Sequence, residues 1–276
     1  MSQIISFHDL SASELEVYTR LTEAALRNTP RQKLFIAESV AVIENALDAG
    51  YEPVSFLMER RHIDGKASAL LARCPDVPVY TADDDLLVKL TGYHLTRGVL
   101  CAMRRKELPG IEALCAKSSR ICVLEGVSDS TNIGAIFRSS AALGADAVLL
   151  SPDCCDPLCR RSVRVSMGSV FCIPWTYFPG WPAPGLKILK KNDFYTLAFA
   201  LSDDSIPLDG LTKSYSNKLA LLFGSEGHGL KQETVSAADC VVRIPMSSGV
   251  DSLNVAASAA VVLWHLRILD GLGSRE

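Results

Sequence analysis

Three groups of residues in this chain have types and spacing suited to chemistry. They are Asn132 with Arg138, Glu226 among glycines, and the run Ser252, Leu253, Asn254. Glu226 lies between Gly224 and Gly227, with Gly229 beyond, directly after the apolar run 219–223. A short β-rich run that breaks into glycines reads as a buried strand whose carboxyl end opens into a loop. Glycines there let backbone N–H and C=O groups approach a ligand that a Cβ would hold off. Ser252, Leu253 and Asn254 follow Ile244, Pro245, Met246 and a polar turn over 247–251, and they open a long apolar helix. Asp251 or Ser252 is expected to cap that helix, because short polar side chains accept from its first N–H groups. Asn132, Gly134 and Arg138 lie in or just before a small-residue helix that follows a strand over 121–124. The two later segments imply a pocket built almost wholly from backbone, at the carboxyl ends of two strands.

An ordinary dinucleotide fold would need a GxGxxG turn after its first strand and an acid further on. Here Glu125, Gly126, Val127, Ser128 and Asp129 follow that strand, and the glycine-rich loop arrives only after the fifth strand of the C-terminal half. No GxxxxGK[ST] phosphate loop is present. A nucleotide-using enzyme with a doubly wound sheet is therefore the weaker alternative. His228 is expected to be an exposed loop residue rather than a base.

The three segments, in this order and spacing, resemble the signature motifs of the SpoU branch of the SPOUT RNA methyltransferases, over residues 118–276. The resemblance implies an enzyme that uses S-adenosylmethionine to methylate a ribose 2′-hydroxyl of structured RNA, tRNA or rRNA, as a homodimer. It implies that Gly224, Ile244 and Leu253 offer an apolar slot for the adenine, with Met246 and Asn254 near the same ligand. Arg138, Asn132, Ser252, Asn254 and Glu226 are then the catalytic set. Asn132 would hold its loop or contact the ribose, Ser252 and Asn254 would face the reacting hydroxyl, and Glu226 would orient Arg138 or a helix terminus. A guanidinium stays protonated in essentially every protein, so Arg138 suits a phosphate clamp that stabilises developing negative charge. A strongly perturbed Arg138 acting as base, with an RNA phosphate involved, remains the other reading. Arg160, Arg161 and Arg164 lie between strands and are candidates to receive RNA phosphates. An RNA-binding protein of the same fold without catalysis is the alternative function, and the intact Asn132, Arg138, Ser252 and Asn254 argue against it.

These residues need a scaffold, and the apolar runs describe one. Strands are expected over 121–124, 147–150, 170–173, 196–201, 219–223 and 241–244, near-continuously apolar as in a parallel sheet covered on both faces. The helix over 253–269 is apolar nearly all round and must be buried on several sides. In the family it passes through a trefoil knot, an exception to ordinary chain topology. Upstream, a helix from Ser11 with a capping-box Glu14 is expected to run to about Arg27. Strands over 33–36, 53–58, 77–80 and 97–103 then alternate with helices over 39–48, 67–73 and 82–90, which describes a small α/β domain. That part resembles, more loosely, the L30e-like RNA substrate-binding domain often fused in front of SpoU domains. The expected division is 1–106, a linker over 107–117 containing Pro109 and Gly110, and 118–276.

With 276 residues, 48% apolar and 21% charged, the composition is that of a globular protein of one or two domains. No secretory signal is evident at the first residues and no apolar run reaches membrane-spanning length, so a cytoplasmic protein is expected. Nine cysteines without a CxxC pair suggest reduced thiols and no metal site. A net charge of −3 does not exclude RNA, because phosphate binding needs only a local basic face.

Overall fold

The computed structural model describes residues 3–10, 12–19, 26, 33–202, 204–211, 217–247, 249 and 252–269. It divides into two units, Met1–Glu107 with Leu158–Phe171, and Leu108–Pro157 with Cys172–Glu276.

The first unit runs β1 (Ile4–Ser6), β2 (Leu34–Glu38), α1 (Val40–Asp48), β3 (Pro53–Glu59), α2 (Arg60–Ile63), α3 (Ser68–Ala72), β4 (Val79–Ala82), α4 (Asp84–Thr91) and β5 (Val99–Arg104). Its strands form one mixed sheet in the order β1-β4-β3-β5-β2, with β5 antiparallel to both its neighbours. Where a helix is expected from Ser11 to about Arg27, Ser13–Tyr18 forms a 3₁₀ helix, and residues 11, 20–25 and 27 lie outside the described residues.

In the second unit come α5 (Ile111–Lys117), β6 (Arg120–Glu125), α6 (Ser130–Leu143) and β7 (Ala147–Leu150). The chain then crosses to the first unit, where α7 (Arg160–Val165) packs against β2. It returns for β8 (Trp175–Tyr177), α8 (Ala183–Lys191), β9 (Tyr195–Phe199), β10 (Ile206–Pro207), β11 (Leu219–Gly224), α9 (Gln232–Ala237), β12 (Cys240–Arg243) and α10 (Val255–Leu269). All seven strands are parallel, in the order β10-β12-β9-β11-β6-β7-β8. Every residue of β7, and all but the first of β6 and β11, is buried, which is why these strands read as unbroken apolar runs. Within the stretch expected as linker, α5 buries Leu114 and Cys115 in the core of this unit.

One strand expectation is corrected. Ser169–Phe171 is a 3₁₀ turn, and the strand begins later, at Trp175. Phe171 instead packs its ring 5.0 Å from Tyr51 and 5.6 Å from Phe35, in the first unit. Its apolar character signals burial without saying in which core.

Candidate active site

The central strands β6 and β11 pair residue for residue and end together, with Gly224 opposite Glu125. Their carboxyl ends are where a parallel α/β sheet leaves room for a ligand. A cavity of about 450 Å³ opens there, within the range that takes small molecules. Phe199 and Phe223, stacked with centroids 4.9 Å apart, form an apolar wall. Gly224, Glu226, Ile244, Met246, Ser252 and Leu253 also line it, so the two late sequence segments meet around one space. His228 is exposed in the loop and lines the cavity too.

The loop after β11 is held from two sides. Gly229 N–H donates to the Ser225 carbonyl at 2.8 Å, pinching the turn shut. Glu125, only 1% exposed, accepts from Lys231 N–H at 2.8 Å with one oxygen, while its other oxygen is buried without a hydrogen-bond partner. A Cβ on Gly224 would run into the backbone of Gly229 and Leu230, closer than real Cβ atoms come. Gly224 is therefore required by the loop itself, before any ligand is considered.

Asn254 joins the three sequence segments. Its Oδ1 accepts from Ala256 N–H at 2.9 Å and Ala257 N–H at 3.4 Å, so Asn254 caps α10. The expected cap lay earlier: Ser252 is exposed on the cavity rim, and Asp251 lies outside the described residues. The Asn254 Nδ2 donates to Asn132 Oδ1 at 3.0 Å and to Glu226 Oε1. Asn132, buried in the first turn of α6, is held by a helix whose own cap is Asp129 accepting from Thr131 N–H. Glu226 thus meets Asn254 rather than Arg138. Arg138 is exposed on α6 and has no hydrogen-bond or ion-pair partner among the described residues.

Arg160, Arg161 and Arg164 stand on α7, within the first unit. Arg160 is tied down, 3.3 Å from the buried Glu38 carboxylate and 4.4 Å from the Tyr93 ring centroid. Arg161 and Arg164 are exposed. All nine cysteines are free thiols, and burial pushes Cys115 and Cys122 up to about 11, away from nucleophilic behaviour. Among the described residues no cluster of three or more His, Cys, Asp or Glu is placed to hold a metal ion. No helix among them is long and apolar enough to cross a membrane.

Glu125 is the residue that sequence reasoning passed over. The signal was an acid closing an otherwise apolar strand, which is costly to bury unless something donates to it.

Residues 119–264 match the SpoU rRNA Methylase family model. The chain belongs to the SpoU rRNA methylase family. Over 233 residues it is 38% identical to an uncharacterised tRNA/rRNA methyltransferase of Mycobacterium bovis, covering 84% of this chain and 80% of that one. Over 216 residues it is 30% identical to the 23S rRNA (guanosine-2′-O-)-methyltransferase RlmB of Nitrosomonas europaea, covering 76% and 81%. The fold is shared with an AdoMet-bound rRNA methyltransferase from Sinorhizobium meliloti, at a TM-score of 0.81 and 24% identity over 97% of this chain and 98% of that one. This SpoU chain is accordingly an RNA methyltransferase with the α/β sheet that its sequence leads one to expect.

Proposed function

We propose that this SpoU protein methylates a ribose 2′-hydroxyl of structured RNA with S-adenosylmethionine as donor. The observation that carries the reading is the Asn254 amide, which ties Asn132 and Glu226 together beside the cavity. The cavity suits such a donor: its walls include stacked phenylalanines, and its rim offers backbone at Gly224 and Ile244 with Glu226 as a charged group. Gly224, Ile244, Met246 and Leu253 would hold it, and it supplies a methyl group on a positively charged sulfur. The names of the Nitrosomonas and Sinorhizobium proteins, which specify 2′-O-methylation and a bound AdoMet, support the same donor and acceptor.

The chain's own part is to orient the ribose and manage charge. A hydroxyl being methylated loses its proton, and negative charge builds on its oxygen as it does so. Arg138 stands exposed, unpaired among the described residues, and permanently cationic, so it is fitted to hold a phosphate beside that oxygen and stabilise the charge. Asn132 and Asn254 do not line the cavity but brace Glu226, which does, and Ser252 offers a hydroxyl at the rim. The first unit, resembling an L30e-like domain, would bring the RNA. We also infer a homodimer, because Val261, Trp264 and Ile268 leave an apolar strip exposed along α10.

The test is methyl transfer to ribosomal RNA and to tRNA using tritiated donor, followed by mapping of alkali-resistant 2′-O-methyl positions. Transfer to a base, or no transfer with intact S-adenosylhomocysteine binding, would overturn the reading. The second outcome would favour an RNA-binding protein without catalysis.

A further inference from the structure

In the first unit the chain enters β5 through Arg97 and Gly98, and Lys66 and His62 lie against that turn. Gly98 has a φ of +79°, and a methyl group placed on it would collide with Lys66 Nζ and stand 2.6 Å from His62 Nε2. Glycine is therefore what lets an ammonium and an imidazole lie directly against the backbone. Lys66 Nζ donates to the Arg97 carbonyl at 2.9 Å. The Arg97 guanidinium reaches Met167 Sδ at 3.5 Å, and Met167 follows the exposed Arg164 by three residues.

Carboxylates do not balance this group. Glu59 Oε1 lies 3.8 Å from His62 Nε2 but is already paired with Arg61 at 2.7 Å. Among the described residues neither Lys66 nor Arg97 has an ion-pair partner. Burial holds His62 below its ordinary pKa, and Lys66 and then Arg61 push the same way, against Glu59. Two basic side chains without a carboxylate partner, Lys66 and Arg97, repel one another unless an anion joins them.

We propose that Lys66, Arg97 and His62 at the Gly98 turn form a phosphate-binding site that grips the backbone of the RNA substrate. The proposal rests on the function proposed above and names the part of the first unit that takes the RNA. The chemistry favours phosphate over a base edge: Lys66 is a point charge, and Arg97 carries the planar fork that matches two phosphate oxygens. A free phosphate or nucleotide presents the same oxygens, so both sources enter the test.

The full chain and its Lys66→Ala, Arg97→Ala and double variants are titrated with 23S rRNA transcript at several salt concentrations, and separately with inorganic phosphate and ATP. Each single substitution is expected to weaken rRNA binding about three- to tenfold and to lower the slope of log affinity against log salt by about one. Lys66→Arg should recover most of the affinity. Thermal melts should match the parent in every variant, which shows that the first unit is folded, and S-adenosylhomocysteine binding by calorimetry should be unchanged. Unchanged rRNA affinity and salt slope in the double variant would overturn the proposal. So would loss of phosphate or ATP binding with rRNA binding intact, which would assign the turn to a small anion. If the parent transfers no methyl group to RNA, the proposed function fails on its own, and the titrations still decide whether the turn holds RNA.

Discussion

Asn254 serves two structures with one amide, and the two can be separated by substitution. Its oxygen caps α10 and its nitrogen joins Asn132 to Glu226. Asn254→Ala should cost about 1 kcal/mol of stability through the lost cap. Asn254→Asp keeps the accepting oxygen and should melt closer to the parent, yet it faces Glu226 with a second carboxylate. Both variants should lose methyl transfer by tenfold or more, roughly 1.4 kcal/mol, measured beside thermal melts. Equal activity in the aspartate variant would mean that the bridge does not matter. Arg138 gives a sharper separation, between chemistry and binding. Arg138→Lys keeps the charge and loses the planar fork, so single-turnover methylation should fall by about a hundredfold or more if it stabilises developing charge. RNA and cofactor should bind within about tenfold of the parent, roughly 1.4 kcal/mol. A surface role would leave the rate almost unchanged, since exposed charges contribute about 0–1 kcal/mol.

At the scale of elements, the glycine loop after β11 shows how geometry and sequence part company. From sequence alone, a side chain at Gly224 would fill the ligand slot and spare the fold. The structure moves the collision to the loop's own backbone at Gly229 and Leu230. Gly224→Ala should therefore lose stability, at least the ~1–3 kcal/mol of overpacking, together with S-adenosylhomocysteine affinity. Gly227→Ala meets open space and should keep both. Calorimetry and thermal melts on the pair decide it; a stable Gly224→Ala that fails only in binding would restore the simpler account. The strands β6, β7 and β11 were legible because burial on both faces writes itself as an unbroken apolar run, whereas β8 was misplaced and the two-residue β10 was not foreseen. The cap of α10 was not, since Asp251, Ser252 and Asn254 are all good caps and only Asn132 and Glu226 select among them. The bridge itself was likewise invisible, because it spans 122 residues. Apolar residues at 170, 171 and 173 marked burial correctly but could not tell a strand in one core from a 3₁₀ turn in another.

For the whole molecule, the alternating elements read as two α/β domains parted over 107–117, whereas the first unit of the structure also takes 158–171, an excursion with no local signature. The exposed Val261, Trp264 and Ile268 lie on α10 of the second unit, so Trp264→Glu should convert a homodimer to monomers in analytical ultracentrifugation. A monomeric parent at micromolar concentration would dispose of the dimer outright. The excursion changes what removal of the first unit should do. Pro109 and Gly110 mark a break near residue 106, and by sequence a cut there leaves the second unit intact. Yet the cut also strips 158–171 of its partners: Phe171 loses Tyr51 and Phe35, and Arg160 loses Glu38 and Tyr93. Val163, 1% exposed in the whole chain, would be left bare on α7. A protein lacking 1–106 should therefore aggregate or melt well below the parent. The same truncation with 158–171 replaced by a Gly/Ser stretch of equal length should stay soluble and bind S-adenosylhomocysteine, because the cavity is lined entirely from residues after 198. Thermal melts and calorimetry on the two truncated proteins test this directly. Stability and tight binding in the simple truncation would show that 158–171 holds its structure without the first unit.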